Sequence, residues 1–167
     1  MRTLIVVDMQ NDFIDGALGT KEAQAIVPAV RKKIDGYLAA GDRVIFTRDT
    51  HGEDYLSTHE GKLLPVPHCI KGTLGWQIEK TLDREGCIHV DKGQFGYLDW
   101  LDFDLENVEI IGLCTDICVI SNALIIRAQY PEIDIKVDSA CCAGVTPDTH
   151  KAALTTMGMC QIEVKNG

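Results

Sequence analysis

The chain has 167 residues, 46% of them hydrophobic and 25% charged, which suits one domain with a sizeable core and excludes a disordered or fibrous class. Lys and Arg total 16 against 25 Asp and Glu, a formal charge of -9 with no basic stripe, so neither nucleic acid nor an anionic membrane is an expected partner. No apolar run approaches the roughly 20 residues that cross a bilayer, and seven cysteines without a CxxC pair point to free thiols in a reducing, cytoplasmic compartment.

In chain order, residues 3–7 form a short β-branched run that reads as a buried strand ending in the polar segment Asp8-Met9-Gln10-Asn11-Asp12. Residues 23–38 carry apolar side chains at helical spacing (Ala25, Ile26, Ala29, Val30, Ile34, Tyr37, Leu38), with Pro28 assigned to the first turn. Gly41-Asp42 turns the chain into a second strand over 43–47, ending at Arg48-Asp49-Thr50-His51. Residues 52–75 have weak periodicity and read as a long loop, a length uncommon in a compact domain unless the loop is functional. A short helix is expected over 76–83 and a third strand over 87–90, delivering Asp91-Lys92-Gly93. A fourth strand over 108–113 leads into a helix over 115–129, then a fifth strand over 133–137, a helix over 147–157 and a last strand over 160–164.

Strands alternating with helices predict an α/β fold: a doubly wound, mostly parallel six-stranded sheet with helices on both faces. Ligands of such sheets bind outside the carboxyl ends of the strands. Asp8, Asp49, Lys92 and the segment from Cys114 to Cys118 all fall at such ends.

Cys118 follows the fourth strand in Gly112-Leu113-Cys114-Thr115-Asp116-Ile117-Cys118. Thr115 as N-cap would place it in the first helical turn, where free amides favour a thiolate and receive the oxyanion formed at a carbonyl. A small buried packing residue is the plainer reading of the same placement. No histidine stands ready as the base: His89 lies within a strand, and His150 is expected on the solvated side of the late helix. Asp8, after four apolar strand residues, is poorly solvated and suited to take a proton, and Lys92 is the charge available to partner it.

Asp49 and His51 lie two apart on one side of an extended segment, and the following loop adds His59, Glu60 and His68, with Cys69 as a competing soft ligand. Oxygen and nitrogen donors in this mixture suit zinc, manganese or iron, while spacing alone leaves the third and fourth ligands open.

Read together, Asp8, Lys92 and Cys118 resemble the isochorismatase-like cysteine hydrolases, and the chain is most similar to their nicotinamidase branch. The resemblance rests on Asp8-x-Gln10-x-Asp12-Phe13, on the lysine after the third strand, and on Thr115-Asp116-x-Cys118-Val119, and it covers nearly all of residues 1–167. It implies a catalytic Asp8, Lys92 and Cys118, an oxyanion hole at Cys114 and Cys118 shaped by a cis peptide at Leu113-Cys114, and a metal on Asp49, His51 and His68 with Glu60 as a further ligand in some members. Zinc is the first choice of metal. The implied substrate is a small amide, nicotinamide, whose ring contacts would be Phe13 with Phe95 or Tyr97; a homo-oligomer is usual. Where many nicotinamidases have Asp-Trp-His and Trp-Pro-x-His, this chain has Asp49-Thr50-His51 and Pro65-Val66-Pro67-His68, so a tryptophan wall is missing. The expected function is therefore a nicotinamidase; the alternative is a relative acting on another small amide, carbamoyl or ureido compound. A thiol redox protein using Cys114 and Cys118 or Cys141 and Cys142, and a metal-stabilised scaffold, are more distant readings.

Overall fold

Leu4, Ile5, Val6 and Val7 are fully buried, as a strand paired on both edges and covered on both faces must be. They belong to β1 (Arg2–Val7), the third strand of a six-stranded sheet that a computed structural model of residues 1–167 describes. The others are β2 (Arg43–Asp49), β3 (Ile88–Lys92), β4 (Asn107–Leu113), β5 (Asp134–Ala143) and β6 (Glu163–Lys165). The spatial order is β3-β2-β1-β4-β5-β6 and every neighbouring pair is parallel. The helices are α1 (Asn11–Ile14), α2 (Lys21–Ala39), α3 (His59–Leu63), α4 (Ile120–Gln129) and α5 (Pro147–Met159). The crossovers run outward in opposite directions from β1 and β4, which, with the right-handed connection that parallel strands take, puts α2 on one face and α4 and α5 on the other. No helix is long and apolar enough to cross a membrane.

The expected α/β architecture is present, with several local differences. Thr20 caps α2 by accepting the Ala23 N–H, so the helix starts at Lys21 and Pro28 sits in its interior rather than its first turn. The helix expected over 76–83 is absent. Its backbone groups are taken by distant partners: Asn11 N–H donates to the Gln77 carbonyl and Glu79 N–H to that of Met9, while Ile78 bridges to Gln10. The 52–75 segment holds a 3-10 turn at Tyr55–Ser57 and the short α3, whose N-cap Thr58 accepts the Gly61 N–H. The helix after β4 begins with a π turn, Thr115–Val119. β5 runs on to Ala143 past a register shift between Ile110 and Gly112, and the last strand begins at Glu163.

The strand order reverses direction between β1 and β4. The crevice at that switch point lies at the carboxyl ends, where Asp8 leaves β1 and Cys114 leaves β4.

Candidate active site

The two central strands deliver their residues through unusual backbone. Asp8 has φ 47°, a left-handed value that is costly for a non-glycine residue and concentrates at functional sites. Gly112 has φ 117°, and a Cβ there would stand 2.2 Å from the Val7 carbonyl oxygen, so only glycine lets β4 lie against the end of β1. The Leu113–Cys114 peptide is cis, as the resemblance implies.

These turns bring together an acid, an ammonium and a thiol from three chain segments. Lys92 Nζ donates to Asp8 Oδ2 at 2.7 Å and lies 3.6 Å from Cys118 Sγ, and the Lys92 and Asp8 side chains are fully buried. Burial pushes the Asp8 carboxyl up, against the opposing charge of Lys92. Burial also lowers the Lys92 ammonium, but the charges of Asp8, Cys118 and Asp49 outweigh it and hold the group firmly protonated. The Cys118 thiol is raised well above its ordinary value, first by burial and then by Asp8. The helix start therefore does not by itself favour a thiolate here, and the buried thiol calls for a base to take its proton.

Thr115 is not the N-cap. Cys114 occupies that place without a side-chain cap bond, the Thr115 hydroxyl pairs with His150 Nδ1 at 2.7 Å, and Asp116 accepts the Val145 N–H. His150 accordingly turns inward from α5, its other nitrogen 3.1 Å from Ser139 Oγ, instead of facing solvent. The Cys114 N–H donates to no acceptor within the chain, leaving it free at the turn that presents Cys118.

Beside this group, Asp49, His51, Glu60 and His68 place four ligand atoms within 4.8 Å of one another. Asp49 Oδ2 lies 2.9 Å from His51 Nε2 and 3.4 Å from His68 Nε2, and Glu60 Oε1 is 3.7 Å from each imidazole nitrogen. Ligands about 2.0–2.2 Å from a common ion stand roughly 3.3–3.6 Å apart in a tetrahedron, so the set, with all four atoms within 4.8 Å of one another, suits a divalent metal once its widest pair draws in. The His68 ring places Nδ1 2.8 Å from the Val66 carbonyl, an arrangement that leaves Nε2 to ligate. Burial pushes Asp49 up, but His51 and His68 hydrogen bonds and the Lys92 charge outweigh it and keep the carboxylate ionised. His59 and Cys69 lie outside the cluster.

Cys118 and the four-donor cluster share one cavity of about 820 Å³, lined by Phe13, Asp49, His51, Glu60, His68, Phe95, Cys114 and Cys118 among others, while Asp8 and Lys92 lie buried behind the thiol. No Lys or Arg is in that lining. Tyr97, expected as a ring contact, does not reach it: its ring packs at 5.0 Å against Trp100 and its N–H is held by Asn122. Cys141 and Cys142 are likewise buried outside the cavity, and all seven cysteines are unpaired.

Two positioning side chains went unassigned in the sequence. The Thr47 hydroxyl donates to Asp8 Oδ1 at 2.6 Å; its signal was one polar residue at the end of an apolar strand. Gln10 was visible only as part of a motif. Its amide is fully buried, accepts the Asp49 N–H at 2.8 Å and donates to the carbonyls of Asp49 and Trp76.

Known proteins share this arrangement of chain. The isochorismatase domain pattern matches residues 2–165. A nicotinamidase/pyrazinamidase of Mycobacterium tuberculosis is 31% identical over 98% of both chains. The pyrazinamidase of Pyrococcus horikoshii, solved in complex with zinc, superposes with a TM-score of 0.84 at 27% identity, covering 98% of this chain and 97% of the other. An N-carbamoylsarcosine amidase from Thermoplasma acidophilum reaches a TM-score of 0.80 at 27% identity over 98% and 95%. With the matched pattern spanning the whole sheet and the turns that carry Asp8 and Cys114, the chain belongs to the isochorismatase-like hydrolase family.

Proposed function

We propose that this chain is a nicotinamidase that hydrolyses nicotinamide to nicotinic acid and ammonia through a thioester on Cys118. The observation that carries the reading is that Cys118, backed by the buried Lys92 and Asp8, opens into the same cavity as the four-donor cluster.

Asp8 takes the Cys118 proton, and the sulfur attacks the amide carbon. The amides of Cys114 and Cys118 receive the negative oxygen. Asp8 returns its proton to the departing nitrogen, releasing ammonia and leaving the thioester. A water then attacks the thioester while Asp8 takes its proton, and that proton passes to the sulfur as the acid leaves. Lys92 stays charged throughout, holding Asp8 in place and offsetting the negative charge that moves between carboxylate and sulfur. Phe13 and Phe95 flank the ring. A divalent metal, zinc in this proposal, would be held by Asp49, His51, Glu60 and His68 and would supply an electrophilic anchor for the pyridine nitrogen.

The lining supports this substrate over the runner-up, another small amide, carbamoyl or ureido compound. Members of that class that carry a carboxylate would find no Lys or Arg in the lining to pair it. A neutral ring amide suits such walls. The reaction would belong to cytoplasmic pyridine nucleotide salvage, in a homo-oligomer as the family resemblance implies.

Ammonia release from nicotinamide, linear amides and N-carbamoyl amino acids tests the assignment. Nicotinamide should be turned over fastest, and Cys118→Ala should abolish turnover with metal content intact. Turnover retained by Cys118→Ala would overturn the mechanism.

A further inference from the structure

The cavity has two zones. Its floor is the buried group of Cys118, Asp49, His51 and His68. Its mouth is apolar: Leu63, Leu64, Phe95 and Val145 line the same cavity while remaining 76%, 39%, 48% and 54% exposed. They come from the end of α3, the turn after β3 and the turn after β5, so three separate segments converge their apolar side chains on one opening. Apolar surface gathered in this way marks a place where something apolar binds. The volume of about 820 Å³ lies high in the range of about 300–1,000 Å³ for cavities that hold drug-sized ligands. A one-ring carboxamide leaves much of it unfilled.

Nicotinamide has two polar handles, the ring nitrogen and the carboxamide, attached on either side of one ring carbon. With both handles held at the floor, the ring carbon across from that one, the 5-position, faces away from it. Resting on the nicotinamidase reading, we infer that this enzyme prefers neutral pyridine carboxamides bearing an apolar substituent at the 5-position, received by Leu63, Leu64, Phe95 and Val145. Anionic substituents, carboxylate or phosphate, are disfavoured at that position, because they would be desolvated among apolar side chains with no Lys or Arg in the lining to pair them.

The test compares kcat/KM for ammonia release by the metal-loaded enzyme on nicotinamide, 5-propylnicotinamide, its 2-propyl isomer and 5-carboxynicotinamide. A buried methylene is worth about fourfold, from about 0.8 kcal/mol each, so the 5-propyl compound should exceed nicotinamide by about tenfold or more. The 2-propyl and 5-carboxy compounds should fall below it. In the double variant L63S/V145S, the ratio of 5-propyl to parent kcat/KM should drop about tenfold, with metal content and Tm reporting that the fold is kept. Cleavage of nicotinamide with the 5-propyl compound slower than the parent would overturn this inference and leave the nicotinamidase reading standing; so would an unchanged ratio in the double variant. Failure to cleave nicotinamide at all would overturn both.

Discussion

The Thr47 hydroxyl both accepts the Asp8 backbone N–H at 3.2 Å and donates to Asp8 Oδ1 at 2.6 Å, gripping the residue at each end. Together with Lys92 on Oδ2, this leaves the carboxylate little freedom to rotate. Thr47→Val keeps the shape and removes the grip. Because the hydroxyl stabilises the ionised carboxylate, its loss raises the Asp8 carboxyl further. The acidic limb of the pH–rate profile should move upward and kcat should fall about tenfold, a barrier increase of about 1.4 kcal/mol. Steady-state kinetics across pH would reveal an unmoved limb if Thr47 were only packing.

Gln10 clamps both backbone groups of Asp49, so it reaches the metal cluster through the chain rather than through a ligand atom. Partners of this kind are worth about 10–100-fold in metal affinity when removed. Gln10→Met should weaken binding of zinc by that factor, measured by competition with a chelator. An unchanged affinity would show that the cluster holds its shape without the clamp.

A second charged group sits away from the cavity. Lys33 from α2 pairs with Glu109 at 2.7 Å and also contacts Asp138, and Tyr37 donates to Glu109 at 2.6 Å. Burial raises the Glu109 carboxyl, but the Lys33 and Tyr37 hydrogen bonds outweigh it and the net value is lowered. Asp138 follows the same course: burial raises it, and hydrogen bonds from Asn166 and Lys33 bring it below the ordinary value. Carboxyls depressed on folding stabilise fully above their unfolded values and lose that stabilisation as pH falls through the folded ones. Stability should therefore drop below about pH 4, where unfolded carboxyls begin to bind protons. Lys33→Met strands two poorly solvated carboxylates and should cost about 2–3 kcal/mol at neutral pH, read by urea unfolding. The loss should shrink in acid; a pH-independent loss would assign the effect to packing.

Gly112→Ala tests the contact between the two central strands. The added carbon would meet the Val7 carbonyl at 2.2 Å in a backbone region closed to alanine. A Tm fall of several degrees and loss of turnover are expected together, since the same strands present Asp8 and Cys114. A fully active, equally stable variant would mean that the strands separate at little cost.

What sequence conveyed about this protein followed the range of the interactions involved. The apolar runs of β1 and β4 and the 3.6-residue spacing of α2 are local patterns, and they located the central sheet. The false helix over 76–83 had apolar residues at Ile78 and Leu82, yet its backbone is held by Met9, Gln10 and Asn11, nearly 70 residues earlier. No window around residue 80 contains that information. α3 is too short for periodicity to register, though its Thr58 cap was there to be read. In the site, charged residues at strand ends stood out because burial makes them expensive. Thr47 and Gln10 escaped because a hydroxyl and an amide are ordinary until their partners are known, and Tyr97 was misplaced because an aromatic ring gives no sign of which way it faces.

The absence of Lys and Arg from the cavity wall acts on both sides of the proposed reaction. Nicotinamide arrives uncharged, whereas nicotinic acid leaves as an anion with no Lys or Arg in the lining to pair it. The chemistry thus converts a guest that suits the walls into one that lacks a basic side chain to hold it, and the charge just created favours departure. Nicotinate should consequently be a poor inhibitor, its inhibition constant lying well above the KM for nicotinamide, so that turnover persists as product accumulates.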